Sequence, residues 1–249
     1  LPLHVAPALQ PRATAMCTIL FAIWMAAFLG TKIIESAAPA RTYRIRPGWW
    51  RWWLGISASG LILSLLVNQL WHSTIDAGAK PADFGQLIGF YLFYSGLNYW
   101  IHRAKHGLLW RLHELHHAPG HMGSELCVWR HPVETLGNLG VLLGLGQLLR
   151  TPVEIAAGVL LIEGLLEISH HSNVRTPPRL RWLAGLVQLP EMHLIHYRMG
   201  VHRYNYSSVA LWDWLFGTAP PIGMSGIRSV CGHGAIGDGS YGGAADEAI

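Results

Sequence analysis

Charge is scarce in this sequence. Asp, Glu, Lys and Arg make up 13% of the 249 residues, while hydrophobic residues make up 51% and mean hydropathy is +0.28. Soluble domains usually carry about 25% charged residues, so the shortage argues against a soluble globular protein. Cysteine is scarcer still: Cys17, Cys127 and Cys231 are widely spaced and odd in number, which excludes a disulfide framework and any CxxC redox or zinc motif. No internal repeat of useful period is present. The length suits one domain, so a single membrane-embedded domain over residues 1–249 is the expectation.

A bilayer core of about 30 Å needs roughly 20 apolar residues in a helix. Residues 13–31, 52–71 and 84–101 contain no Asp, Glu, Lys, Arg or His and are rich enough in Leu, Ile, Phe and Trp to insert. They are read as three membrane spans. Residues 135–169 form a shorter apolar hairpin around "LLRTPVE", with Glu163 and Glu167 near its end. The first run is read as a retained span, because only Arg12 precedes it as a basic residue and no clean small-residue cleavage site follows. The loop after it, "RTYRIRPGWWR", holds four arginines, which places it in the cytoplasm by the positive-inside rule. The third span then returns to that side, as do the segments 102–131 and 170–216. Trp49, Trp50, Trp52, Trp53, Trp100 and Trp110 flank the spans like an interfacial belt. Residues 217–249, rich in Gly, Ala and Ser, read as a flexible tail.

What the chain has in excess is histidine. There are 15, and 12 of them fall between His102 and His202. Residues three or four apart on a helix share a face, so His102 with His106, His113 with His116 and His117, and His193 with His196 each aim imidazoles at one point. His170, His171 and His202 lie close to these in the chain. Neutral imidazole suits Zn, Fe, Cu and Ni. One metal in such sites seldom takes more than four protein ligands, so this many imidazoles predicts two metals. His4, His72 and His233 have no neighbour at ligand spacing and read as structural. His121 is not assigned a role, and His131, before Pro132, reads as a cap or an orienting group. Glu163 and Glu167 are candidates to hold a ligand imidazole in its tautomer, with a helix-to-helix hydrogen bond as the plainer role.

"HELHH" also satisfies HExxH, with His113 and His117 as a zinc pair and Glu114 as general base. That makes a zinc-dependent membrane hydrolase an alternative, although it leaves most of the imidazoles unused. A non-catalytic membrane metal-binding protein is a further alternative.

In order along the chain, "YWIHRAKHGLLWRLHELHH", "RHPVE", "HHSNVRTPPRLRWL", "LPEMHLIH" and "NYSSVALWDWLFGT" resemble the fatty acid hydroxylase / sterol desaturase superfamily of integral membrane di-iron enzymes. The resemblance covers roughly residues 97–218. It implies an all-α, polytopic membrane helical bundle whose cytoplasmic histidine-rich cap holds two iron ions. It also implies O2-dependent hydroxylation or desaturation of an unactivated C–H bond in a lipid or terpenoid-like substrate. It favours His171 over His170 as a ligand. One departure stands out: the last box of that superfamily reads HxxHH, and here Tyr197 follows His196. The expected ligands are therefore His102, His106, His113, His116, His117, His171, His193 and His196. His202 is the expected ninth, swung back by a break at Gly200, with His170 or Tyr197 as the other candidates and Tyr197 expected as a hydrogen-bonding neighbour. No segment resembles a cytochrome b5 or ferredoxin module, so a separate electron-transfer protein of one of those types, with its reductase, is the expected partner. No nucleic-acid partner is expected.

Overall fold

A computed structural model of the chain describes residues 10–45, 47–72, 83–197 and 204–220. His4, His202, His233, Cys231 and most of the expected tail 217–249 lie outside the described residues, as do the side chains of Cys17 and His72. Among the described residues every regular element is helical.

The long helices follow from the apolar runs and from what stops them. Helix α1, Gln10–Ala37, ends where Ala38 precedes Pro39, a position that disfavours helical backbone. Gly48, at φ +83°, turns the chain into α2, Trp49–His72. Helix α3, Phe84–Lys105, starts at a capping box in which Asp83 accepts from Gln86 N at 2.8 Å and Gln86 Oε1 accepts from Asp83 N at 3.3 Å. It outlasts the apolar run by one turn and so carries His102. Helix α4, Trp110–His117, is short and holds three histidines.

After a 3-10 helix, Ser124–Val128, His131 caps α5, Pro132–Leu148, by accepting from Val133 N at 3.2 Å, with Pro132 in the first turn. A turn through Arg150, at φ +50°, leads to α6, Val153–His171. These two helices pack against each other. A second 3-10 helix, Pro178–Gly185, precedes α7, Pro190–His196, and α8, Ala210–Leu215.

Helix α6 packs against α1, α3, α5, α7 and the first 3-10 helix. Phe90 and Tyr94 of α3, Leu142 and Leu145 of α5, and Ile155 and Val159 of α6 form one buried cluster. Gly164 lets α1 approach: a Cβ there would stand 2.7 Å from the Trp24 indole. The outer faces remain apolar and uncovered, with Ile19, Phe21 and Ile33 on α1, Trp52 and Ile62 on α2, and Phe84 and Phe93 on α3 all exposed. Within α1, Thr18–Ala37 is long and apolar enough to cross a membrane, and almost none of it is buried.

Three helix ends meet the histidine region. At the C-terminal end of α1, Glu35 accepts from Ser124 N and Asn173 N, both at 2.8 Å. At the start of α2, Trp53 donates to the Glu125 carbonyl at 2.8 Å. The third is the last turn of α3, with His102 in it. The arginine-rich loop is pinned there too, since Asn173 O accepts from Ala40 N and Asn173 Nδ2 donates to Arg41 O, each at 2.8 Å.

Candidate metal centre

The eight clustered histidines fall into two neighbouring groups. His102, His106, His113, His117 and His196 bring ring nitrogens within 4.8 Å of one another, and so do His116, His171 and His193. Helix spacing accounts for part of the division, and the packing of the short helices against α3 and α6 for the rest. His102 and His106 stand four apart, His113 and His117 likewise, and all four face the first group. His116, one position before His117, is rotated by about 100° and faces the second. His193 and His196, three apart and so only about 60° apart around the helix, were expected to aim at one point, yet they address different groups. His171, at the end of α6, closes the second group. The groups adjoin, with ring centroids 5.2 Å apart for His113 and His116 and 5.3 Å for His193 and His196.

The nitrogens that converge are the Nε2 atoms. In the first group the separations are 3.1 Å for His102 and His113, 3.2 Å for His102 and His106, 3.1 Å for His106 and His196, and 3.2 Å for His113 and His117. In the second they are 3.2 Å for His116 and His171 and 3.0 Å for His171 and His193.

The other ring nitrogen decides what these contacts are. Nδ1 of His102 faces the Tyr206 carbonyl at 2.8 Å, that of His116 the Trp129 carbonyl at 2.7 Å, and that of His171 the Glu167 carbonyl at 2.9 Å. His196 faces the Tyr204 carbonyl. His113 faces Glu134 Oε1 at 3.0 Å and His193 faces Gln188 Oε1 at 3.1 Å. The Gln188 amide is oriented in turn, because its Nε2 donates to the Asn205 carbonyl at 2.8 Å. Oxygens of these kinds only accept, so each Nδ1 carries the proton. Burial is the leading cause that lowers the pKa of His102, His113, His116, His117, His171 and His193, with His116 at about 3, so these rings are neutral.

The Nε2 atoms of the six anchored rings are therefore bare lone pairs. Bare lone pairs about 3 Å apart repel unless a cation lies between them. Two ligands held about 2.1 Å from one ion at 90–110° are about 3.0–3.4 Å apart, which matches the observed separations. The residues fit a metal in each group.

Buried charges surround the clustered imidazoles in pairs. Lys105 Nζ lies 3.0 Å from Glu134 Oε1 and 2.7 Å from Asn138 Oδ1. Burial acts to raise the Glu134 pKa, but the His113 hydrogen bond and the Lys105 charge outweigh it and hold the carboxyl well below its usual range. Arg130 donates to Glu167 Oε2 at 2.9 Å. Of the acids singled out in the sequence, Glu167 anchors His171 with its backbone carbonyl, its carboxylate standing 3.4 Å from Nδ1, and Glu163 accepts from Ser208 Oγ at 3.0 Å. Glu134, Gln188 and the three aromatic-residue carbonyls were not singled out there. A cavity of about 60 Å³ opens beside the two groups, lined by polar residues including Asn98, Asn138, Glu163, His170 and Ser207.

His170 is buried, with its Nε2 3.6 Å from Glu167 Oε2 and its ring over His193; it lies outside the two imidazole groups and forms with Glu167 and His171 a third set of possible ligands. His121 bonds Glu125 Oε1 at 3.0 Å. Glu114, the base that the HExxH reading needs, is exposed on α4 while His113 beside it is buried. Tyr197 is buried, and its hydroxyl stands 2.8 Å from His116 Nε2 and 3.4 Å from His171 Nε2.

No curated protein matches the chain, and neither does any solved structure. Residues 87–218 match the fatty acid hydroxylase family. That stretch runs from the first turn of α3 through α8 and holds all eight clustered imidazoles. Because the match extends over more than half of the chain, the protein belongs to the fatty acid hydroxylase family.

Proposed function

We propose that this protein is a membrane di-iron monooxygenase that hydroxylates, or by the same chemistry desaturates, an unactivated C–H bond of a lipid-like substrate. The observation that carries the reading is the pair of adjacent imidazole groups whose lone pairs converge. Family membership points to an oxidoreductase of hydroxylase type acting on lipids, which favours a redox-active metal over zinc. Two irons bound there would supply O2 activation and the oxidising power for C–H cleavage.

The chain's own part is to hold, orient and shield. His102, His106, His113, His117 and His196 would hold one ion, and His116, His171 and His193 the other. The Nδ1 acceptors fix each tautomer, and such outer contacts set ligand basicity as well as ring direction. Lys105 with Glu134 and Arg130 with Glu167 balance charge beside the ligands. The 60 Å³ cavity has room for about four to six waters at 10–15 Å³ each and is too polar for an acyl chain. It suits movement of water and protons, while the apolar outer faces suit entry of substrate from lipid. Electrons come from a separate carrier of ferredoxin or cytochrome b5 type with its reductase.

The apolar length of α1 and the uncovered apolar faces of α1, α2 and α3 support a membrane setting with these helices as spans. The arginine-rich loop and the histidines share one end of the bundle, which supports a metal site facing the cytoplasm.

Metal analysis of protein purified without added metal, coupled to O2 uptake with lipid and reductant, tests the function. About two irons per chain and a product heavier by about 16 mass units, or lighter by about 2, is the expected result. One zinc with O2-independent hydrolysis, abolished in Glu114→Ala, would overturn it, as would tight metal with no turnover. Cysteine labelling tests the topology: reaction at residues 119–124 from outside intact cells rules out a cytoplasmic site.

A further inference from the structure

Resting on the di-iron reading, we infer that Tyr197 is a metal ligand: its phenol oxygen is the fourth protein donor to the ion held by His116, His171 and His193. Tyr197 lies four residues after His193, one helical turn on, and so shares the face of α7 that addresses the second group. His196, one residue earlier, addresses the first. The Tyr197 oxygen stands 2.8 Å from His116 Nε2 and 3.4 Å from His171 Nε2. Donors sharing one ion at about 2.1 Å are expected about 3.0–3.4 Å apart; the 3.4 Å separation falls in that range and the 2.8 Å one just short of it, beside imidazoles that are themselves 3.0 and 3.2 Å apart. The oxygen thus occupies a corner of the same polyhedron.

The two groups also differ in number. The first collects five imidazoles and the second three. The phenol ring packs within the site, its centroid 4.4 Å from that of His117 and 5.0 Å from that of His193, so the oxygen cannot turn outward without displacing ligands. The hydroxyl proton has an acceptor of its own, the His116 carbonyl oxygen at 3.0 Å, which leaves an oxygen lone pair for the metal. When ferric iron binds, the Fe–O bond forms, the O–H bond breaks and the proton passes to the buffer, with no change of oxidation state. One ion then carries neutral imidazoles alone and the other an anionic oxygen, which stabilises the ferric state of the second ion and makes the two unequal.

The test is iron count and visible spectrum of the full-length protein loaded with iron and oxidised. Wild type is expected to bind two irons per chain and show a phenolate-to-iron(III) charge-transfer band. Tyr197→Phe is expected to lose the band and to bind its second iron at least about tenfold more weakly. Tyr197→His restores the second iron without the band, which separates loss of a donor from loss of fold. His202→Ala keeps both irons and the band. Two irons without the band in wild type overturn the ligand assignment and leave the di-iron reading standing, as does Tyr197→Phe with unchanged iron count and spectrum. A wild type that binds no iron overturns both.

Discussion

Glu134 Oε1 stands 3.0 Å from Nδ1 of His113, and Lys105 meets the same oxygen at 3.0 Å. The carboxylate therefore fixes the tautomer of a ligand while its charge is balanced from the other side. Glu134→Gln keeps the shape, removes the charge and leaves Lys105 buried opposite a neutral amide. Iron affinity is expected to fall about 10- to 100-fold, the usual cost of removing a group that orients a ligand. A chelator competition titration measures it, and an unchanged affinity would show that the carboxylate does not hold His113.

Gln188 serves the second group in the same way. Its amide bridges the Asn205 carbonyl and His193 Nδ1. Gln188→Leu fills the space but removes both contacts, so His193 loses the acceptor that sets its tautomer. The expected outcome is selective: the iron held by His116, His171 and His193 is lost first, and one iron per chain remains on the five-histidine group. Iron quantified after graded dialysis checks this; simultaneous loss of both irons contradicts it.

The helix-borne part of the site was legible in the sequence because one helix fixes its own geometry. His102 with His106 and His113 with His117 converge by spacing alone. The division of His116 from His117, and of His193 from His196, depends on where α4 and α7 lie against α3 and α6, and no local pattern encodes that. The anchors of the rings were mostly hidden for a chemical reason: the carbonyls of Trp129, Tyr204 and Tyr206 belong to the backbone, which leaves no mark in residue type. The apolar runs located α1 to α3, and the capping box at Asp83 is readable too. The last turn of α3, which the His102 and His106 spacing implies, carries Lys105 past the apolar run with its charge buried against Glu134, a pairing that the sequence does not mark.

Acid should unfold the metal-free protein through its histidines. Burial lowers the pKa of His102, His113, His116, His117, His171 and His193 below the ordinary 6.5, with His116 at about 3. An unfolded chain takes up these protons near pH 6.5, and the folded one does not. Stability is therefore full above about pH 6.5 and falls as pH drops from there toward 3, each such histidine contributing up to about 1.4 kcal/mol per pH unit. Thermal melting of metal-free protein across that range gives the slope. A melting temperature that stays level from pH 7 to 5 would show that these rings are solvated.

Glu35 ties the end of α1 to the segments that follow His117 and His171. Oε1 accepts from Ser124 N and Asn173 N at 2.8 Å each, and Oε2 accepts from Ser124 Oγ at 3.1 Å and Lys32 Nζ at 2.7 Å. Ser124 follows the loop that leaves His117, and Asn173 lies two residues beyond His171. Glu35→Ala leaves the buried Ser124 N–H without an acceptor, at roughly 1–3 kcal/mol, and the half-buried Asn173 N–H as well. Lys32→Ala removes a half-exposed ammonium paired with both Glu35 and Glu125, and pairs of that kind are worth about 0–1 kcal/mol. The expected order is a clear fall in unfolding free energy and in iron affinity for Glu35→Ala, and little change for Lys32→Ala. Denaturant unfolding with a parallel iron titration on both variants checks it. Equal effects would place the stabilisation in the Lys32 ion pair rather than in the loop amides.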